Sequence, residues 1–452
     1  MNSLAHLVLL GSVPLGAGLF AFLSARVAAL IVLLAGMLFL PILTIPLPGP
    51  VSLGKAEAIS LALLLGVLAF DSGAIQRFRP CFGDVLFVGA MIAGGIASLT
   101  NNVGPYDAFA TTLNRCIRLG IPYLIGAVYL STKIGRRELL WGVFLAGLAY
   151  VPFCLYELRM SPQLHRIFYG AGQHAFDQTS RGGGWRPMVF MQHGLELALF
   201  MAAAFLAGLA LFDSGQRKLF GQRLVLAVAG LGAVVVACKS TGALLLAMVG
   251  FAATRRPFRS WVPAGLLLLV PIYLVARIVS GGVLEEMLIE YSRSLSEERA
   301  LSLGFRLDNE VILLEKLWRT PIFGAGGWNF SNVINPETGE MEVIVTDSFW
   351  IIALATTGLF GMISTYGMLW VPAFRSSLQH LRAAGEDRAL WTGCTSILLI
   401  LAFDLLVNGF LPAIYVAMAA GLIRGSRAEA ERRVVVRRVL QPRPRLERMP
   451  ST

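Results

Sequence analysis

The sequence predicts an all-α, polytopic membrane protein: a bundle of about 12 to 13 transmembrane helices with two long outer-face loops, the second partly helical. Three observations lead there. Hydrophobic residues fill 56% of 452 positions and charged residues only 14%, with a mean hydropathy of +0.69. That is too apolar for a single core wrapped in water. Apolar runs also recur near the roughly 20 residues a helix needs to cross a hydrocarbon layer of about 30 Å. None of them alternates with the period of two that a lipid-facing barrel strand requires.

The expected spans are 5–23, 26–44, 57–71, 84–100, 114–131, 139–156, 188–212, 224–238, 240–254, 261–278, 346–370, 391–407 and 409–423. The opening "MNSLAHLVLLGSVPLGAGLF" lacks the basic segment of a cleaved leader, and no lipidation pattern is present, so it is expected as the first retained helix. Cys81, Cys116, Cys154, Cys238 and Cys394 are odd in number, scattered and mostly inside apolar runs. They read as packing residues rather than a disulfide framework or a metal site.

Basic residues orient the bundle. Arg77 and Arg79, "KIGRRE" (133–138), "GQRKLFGQR" (215–223), "TRRPFR" (254–259) and the stretch 375–388 all fall on one face of this topology, together with the tail 424–452. Short cytoplasmic loops collect Lys and Arg, so this face is expected to be cytoplasmic, with 1–423 a single transmembrane domain and the C-terminal tail inside. The net charge of +11 then follows from topology, with attraction to anionic membrane lipids as a second use. Nucleic acid is not an expected partner, because the basic residues are interleaved with spans rather than gathered on a folded domain.

Two long connections, 158–187 and 279–345, fall on the outer face. The first carries Arg159, Arg166, Arg181 and Arg186 against Glu157 and Asp177. Guanidinium forks suit phosphate oxygens, and the glycines of "RGGGWRP" would admit a ligand close to backbone; a solvated, flexible loop is the equal alternative. His193 and Glu196 sit three apart at the start of the next span and share a face, either as a proton-shuttling pair or as a pair that satisfies itself. His165 and His174 allow both readings too. No His or Cys spacing suits a metal, so neither metal nor cofactor is expected. Lys239, in the short hairpin "CKSTGA", either snorkels or adds positive potential to an outer pocket.

In the second loop Leu307, Val311, Leu314 and Leu317 recur at helical spacing, and Thr320-Pro321 marks a stop. Glu285, Glu286, Glu297, Glu298 and Glu315 are expected on a solvated face. Arg306 beside Asp308 reads as an ion pair or as a phosphate ligand. "GAGGWNF" lacks the preceding strand and the Lys-Ser/Thr of a phosphate loop, and suits a turn whose Trp328 and Phe330 lie on the membrane interface or a sugar ring. Asp347 opens "TDSFWIIALATTGLFG" as either the helix N-cap or a carboxylate available for chemistry. Arg115, Arg118, Arg277, Glu196 and Asp404 fall near expected span ends, leaving no midplane relay of the kind a transporter or flippase would want. Nor is there a repeat of paired broken helices.

The order of "KSTGALLLAMVG", a long outer loop, "LLEKLWRTPIFGAGGWNF" and "TDSFWIIALATTGLFG" resembles the O-antigen ligase and polysaccharide polymerase family of bacterial membrane proteins, over roughly 185–370. The resemblance implies a metal-independent, inverting transfer of glycan from a polyprenyl diphosphate carrier to an acceptor glycan or glycolipid, on the outer side of the bacterial inner membrane. It implies arginines that hold the diphosphate, Arg186 and Arg306 here with Arg181 and Lys239 beside them, and a base near the start of the post-loop helix. Two positions depart from the family pattern. Ser240-Thr241-Gly242 stands where relatives have Ser-Arg-Gly, and Asp347-Ser348 where they have His-Asn. Asp347, or His193, is then the residue left to activate the acceptor. A lipid-linked-oligosaccharide flippase and a non-catalytic envelope-assembly protein are the alternatives.

Overall fold

The computed structural model describes all residues except 174–178, 182, 256–260, 281–282, 296, 328–329, 335–339, 345–346 and 426–452. The expected roles of His174, Asp177 and Trp328, and the basic tail, lie outside the described residues. The chain is all-helical, with short two-stranded hairpins between helices. In order, its helices are α1 (Ser3–Phe22), α2 (Ala25–Phe39), α3 (Lys55–Phe70), α4 (Asp84–Thr100), α5 (Pro105–Arg115), α6 (Ile121–Tyr129), α7 (Lys133–Met160), α8 (Leu164–Tyr169) and α9 (Gly194–Asp213). There follow α10 (Leu224–Ala237), α11 (Thr241–Thr254), α12 (Val262–Val279), α13 (Val283–Leu295), α14 (Glu297–Leu317), α15 (Phe349–Arg382), α16 (Gly385–Asp404) and α17 (Ala413–Gly425). Among the described residues five of these, α1, α7, α9, α12 and α15, are long and apolar enough to cross a membrane. Shorter apolar helices, including α2, α4, α10, α11 and α17, fill out the bundle.

The core centres on α9, where every residue from Leu197 to Ala204 is buried. Its run of Ala and Gly lets neighbouring backbones approach closely, which replaces the hydrophobic drive that lipid removes between spans. A Cβ on Gly147 of α7 would lie 2.3 Å from the Ala204 Cβ, and one on Gly393 of α16 would lie 2.3 Å from that of Ala210.

Helix ends sort into two groups that agree with the alternating threading read from the sequence. At one end Asn2 donates to the Phe168 carbonyl (2.8 Å), Lys55 to Phe190 (3.0 Å) and Asn101 to Gly324 (2.8 Å). At the other, Arg26 meets Glu138 (2.8 Å), Lys133 meets Glu386 (2.8 Å), Arg136 meets Asp387 (3.0 Å) and Arg255 meets Asp213 (3.1 Å). Arg424 joins the second group through Asp84. The second group includes Lys133, Arg136, Arg255 and Arg424 from the basic segments expected to share a face.

Two elements differ from expectation. The helix expected at 114–131 begins at Pro105 and runs through a π-helical turn, Cys116–Gly120, into α6. The widened turn lies just ahead of Pro122, which has no N–H to offer the helix ladder. Arg115 and Arg118 therefore sit mid-helix rather than at an end, Arg115 donating to the Ala90 carbonyl (3.0 Å) and Arg118 paired with Glu57 (2.6 Å). The second is α15, which extends to Arg382 and breaks at Gly358 (φ 65°, ψ −169°). Residues 321–326 insert there. Leu359 and Phe360 donate to the carbonyls of Pro321 (2.9 Å) and Ile322 (3.0 Å), while Ala325 and Gly326 donate to those of Ala355 (2.9 Å) and Thr356 (3.0 Å). The glycines of "GAGG" thus serve a backbone docking: a Cβ on Gly324 would lie 2.5 Å from the Gly358 nitrogen.

Candidate functional site

The end of the bundle that holds the two long loops also gathers the polar residues singled out above. Arg306 on α14 does not pair with its near neighbour Asp308. Its Nη2 lies 3.2 Å from Oδ2 of Asp347, with both side chains part-exposed (33% and 48%). Asp347 is not the N-cap of α15: Ser348 occupies that position, and its hydroxyl donates to Glu310.

α14 is fixed to its neighbours one turn beyond Arg306. Glu310 is buried and accepts from Arg277 at the end of α12 (2.6 Å), and Arg277 pairs on its other side with Glu285 of α13. The guanidinium also lies 5.8 Å from the Trp350 ring. Burial pushes the Glu310 carboxyl above its usual value, against the pull of Ser348 and Arg277. Glu285, expected on a solvated face, is a buried member of this clamp, whereas Glu286, Glu297 and Glu315 are exposed. The side chain of Glu298 lies outside the described residues.

Against Asp347 lies the segment between α16 and α17. The Phe349 N–H donates to the Asn408 carbonyl (3.2 Å), and the Asn408 amide donates to Asp404 (2.7 Å). Phe410 in turn stacks on His193, with ring centroids 5.7 Å apart and planes 17° from parallel. His193 and Glu196 both serve the entrance of α9. His193 is the N-cap of α9, its Nδ1 accepting the Leu195 N–H (3.0 Å), and Glu196 accepts the N–H of Gln192 (3.0 Å) and of His193. The Glu196 bond is one half of a capping box, while His193 accepts from the second helical residue rather than the third. While Nδ1 accepts, the neutral ring carries its proton on Nε2 and presents a donor rather than a base.

Glu196 and Arg306 both lie within electrostatic reach of Asp404, and Lys55 within reach of Glu196. Arg186 packs along Gly194, the residue after His193, and its Nη2 donates to the Lys239 carbonyl (3.2 Å). The Lys239 ammonium rests beside Gly184. Lys239 itself has a left-handed backbone (φ 51°). Arg181 pairs its backbone with Gly184 in a short hairpin, and its side chain lies outside the described residues.

Five of the six expected site residues, Asp347, His193, Arg186, Arg306 and Lys239, therefore share one end of the bundle, joined through Gly194 and Phe410. Two expected participants are structural. Glu157 is buried and accepts the N–H groups of Leu164 (3.0 Å), Met188 (2.8 Å) and Val189 (2.7 Å), so its carboxylate serves the backbone of the loop. His165 is buried, accepts from the Ile42 N–H at Nε2 (3.1 Å) and donates from Nδ1 to Ala171 (2.6 Å); burial holds its imidazole below its ordinary value. Sequence reasoning missed Asn408, Phe410 and Lys55. The one available signal was Asp404 and Asn408 at a helical spacing of four at the end of an apolar run. A scan of protein-family models and a search of curated proteins find no match to this chain.

Proposed function

We propose that this end of the bundle is the active site of a membrane glycosyltransferase of the ligase or polymerase type, moving glycan from a polyprenyl diphosphate carrier to an acceptor sugar. The observation that supports it is the Arg306–Asp347 pair, a half-exposed carboxylate against a guanidinium at 3.2 Å, with Arg186 and Lys239 at the same end. An incoming diphosphate competes with Asp347 for Arg306 and frees the carboxylate. Asp347 then takes the acceptor hydroxyl proton, the acceptor oxygen bonds to the anomeric carbon, and the bond to the carrier diphosphate breaks with inversion. The electron pair leaves on the diphosphate, where Arg306, Arg186 and Lys239 stabilise the charge. A positioned base contributes about 100- to 10,000-fold to such a step.

The same reading assigns about 12 to 13 spans, with the shorter apolar helices crossing too, a bacterial inner-membrane location, the site on the outer face and the tail in the cytoplasm. A second reading, a lipid-linked-oligosaccharide transporter, takes support from Arg115 in mid-helix and from Arg118, which meets Glu57 in the first turn of α3. Deletion of the gene followed by complementation with Asp347→Asn, Arg306→Ala or Arg186→Ala separates them, with lipid-linked glycans measured by mass spectrometry. Transfer predicts carrier-linked glycan accumulating on the outer leaflet. Accumulation confined to the inner leaflet supports transport, and unchanged glycans overturn both.

A further inference from the structure

The helical hairpin α13–α14 presents an apolar face that no described residue covers. Glu285 turns α13 inward, onto Arg277 of α12. On the opposite side Val283, Met287 and Tyr291, spaced by four, are 61%, 65% and 67% exposed, and Leu301 and Phe305 of α14 add 71% and 62%. Glu286, Glu290 and Arg293 form a separate exposed polar strip. A helix with one face on protein, one apolar and one charged fits the boundary between hydrocarbon and water. In water alone, five large exposed apolar side chains on one hairpin would be uncompensated.

The stripe continues the exposed apolar surface of a helix long and apolar enough to cross a membrane. On α12, a span by length and composition, Leu268, Ile272, Val275 and Val279 are exposed along the side leading toward α13. The Val283 N–H bonds back to the Ser280 carbonyl (3.3 Å), so the chain passes from span to hairpin within one turn. We infer that α13–α14 lies in the bilayer surface at the site end of the bundle, with Val283, Met287, Tyr291, Leu301 and Phe305 among the lipid acyl chains. The polar strip is largely acidic, so the attachment is apolar rather than an attraction to anionic headgroups. One consequence rests on the transferase reading: Arg306, on α14, is carried at the depth of a lipid-linked phosphate.

The full-length protein in phosphatidylcholine nanodiscs tests the inference without reference to activity. An environment-sensitive fluorophore is placed at Met287→Cys, Tyr291→Cys or Glu286→Cys, with Cys81 and Cys116 replaced by Ala. Lipids spin-labelled high on the acyl chain are expected to quench positions 287 and 291 at least about twofold more than 286, aqueous iodide to do the reverse, and added salt to change neither. Equal quenching at all three positions overturns the inference. So does protection of 287 and 291 from both quenchers, which would mean that protein covers the face.

Discussion

Lys239 combines a backbone that disfavours it with a side chain that the site needs. A non-glycine residue at φ 51° stores on the order of 1 kcal/mol, and it persists because Cys238 is buried on one side while Ser240 caps α11 on the other. Lys239→Gly removes both the strain and the ammonium. Thermal unfolding in detergent should shift by no more than about 1 kcal/mol, since relief of strain opposes the greater freedom of the unfolded chain. Glycan transfer should fall by about tenfold or more through loss of leaving-group stabilisation. Preserved transfer in the glycine variant would remove Lys239 from the site. In the sequence the residue was legible only as a charge between two spans; its place beside Gly184 depends on a hairpin about 55 residues away.

At the scale of elements, the most specific device is the docking of residues 321–326 into the break of α15. Each partner supplies a glycine with positive φ, Gly324 at 72° and Gly358 at 65°, and each would bring a Cβ into the other's backbone. Gly358→Ala or Gly324→Ala should each destabilise by about 2 kcal/mol or more, from backbone strain and the overlap together. The double variant should lose less than the sum, because either change already undocks the segment. Thermal unfolding of the three variants measures this, and additive losses would show that the glycines act independently. The helix in "LDNEVILLEKL" and its stop before Thr320-Pro321 were both readable from periodicity and a proline. The docking was not, because two short glycine runs carry no information about which backbone each will meet. Asp347 shows the same limit: its residue type suits a helix cap, but the clamp through Glu310 takes Ser348 into the N-cap position and leaves Asp347 to Arg306.

Over the whole molecule, alternation of apolar runs with basic connections reproduces which helix ends meet. A reporter active only in the cytoplasm should therefore be active when fused after Arg424, and inactive when inserted between the strands Asn332–Ile334 and Met341–Val343; a reporter active only outside should give the opposite pattern. The same signal at both positions would break the threading. What the sequence by itself determined is the helical class, the membrane character and the assignment of segments to two ends, because hydropathy and charge act on each segment against its solvent, one segment at a time. Only the tertiary structure decided which arginine meets which carboxylate and that α15 is broken to receive a loop. Those outcomes depend on packing between residues far apart in the chain, where a few ångströms of helix register choose among several chemically equivalent partners.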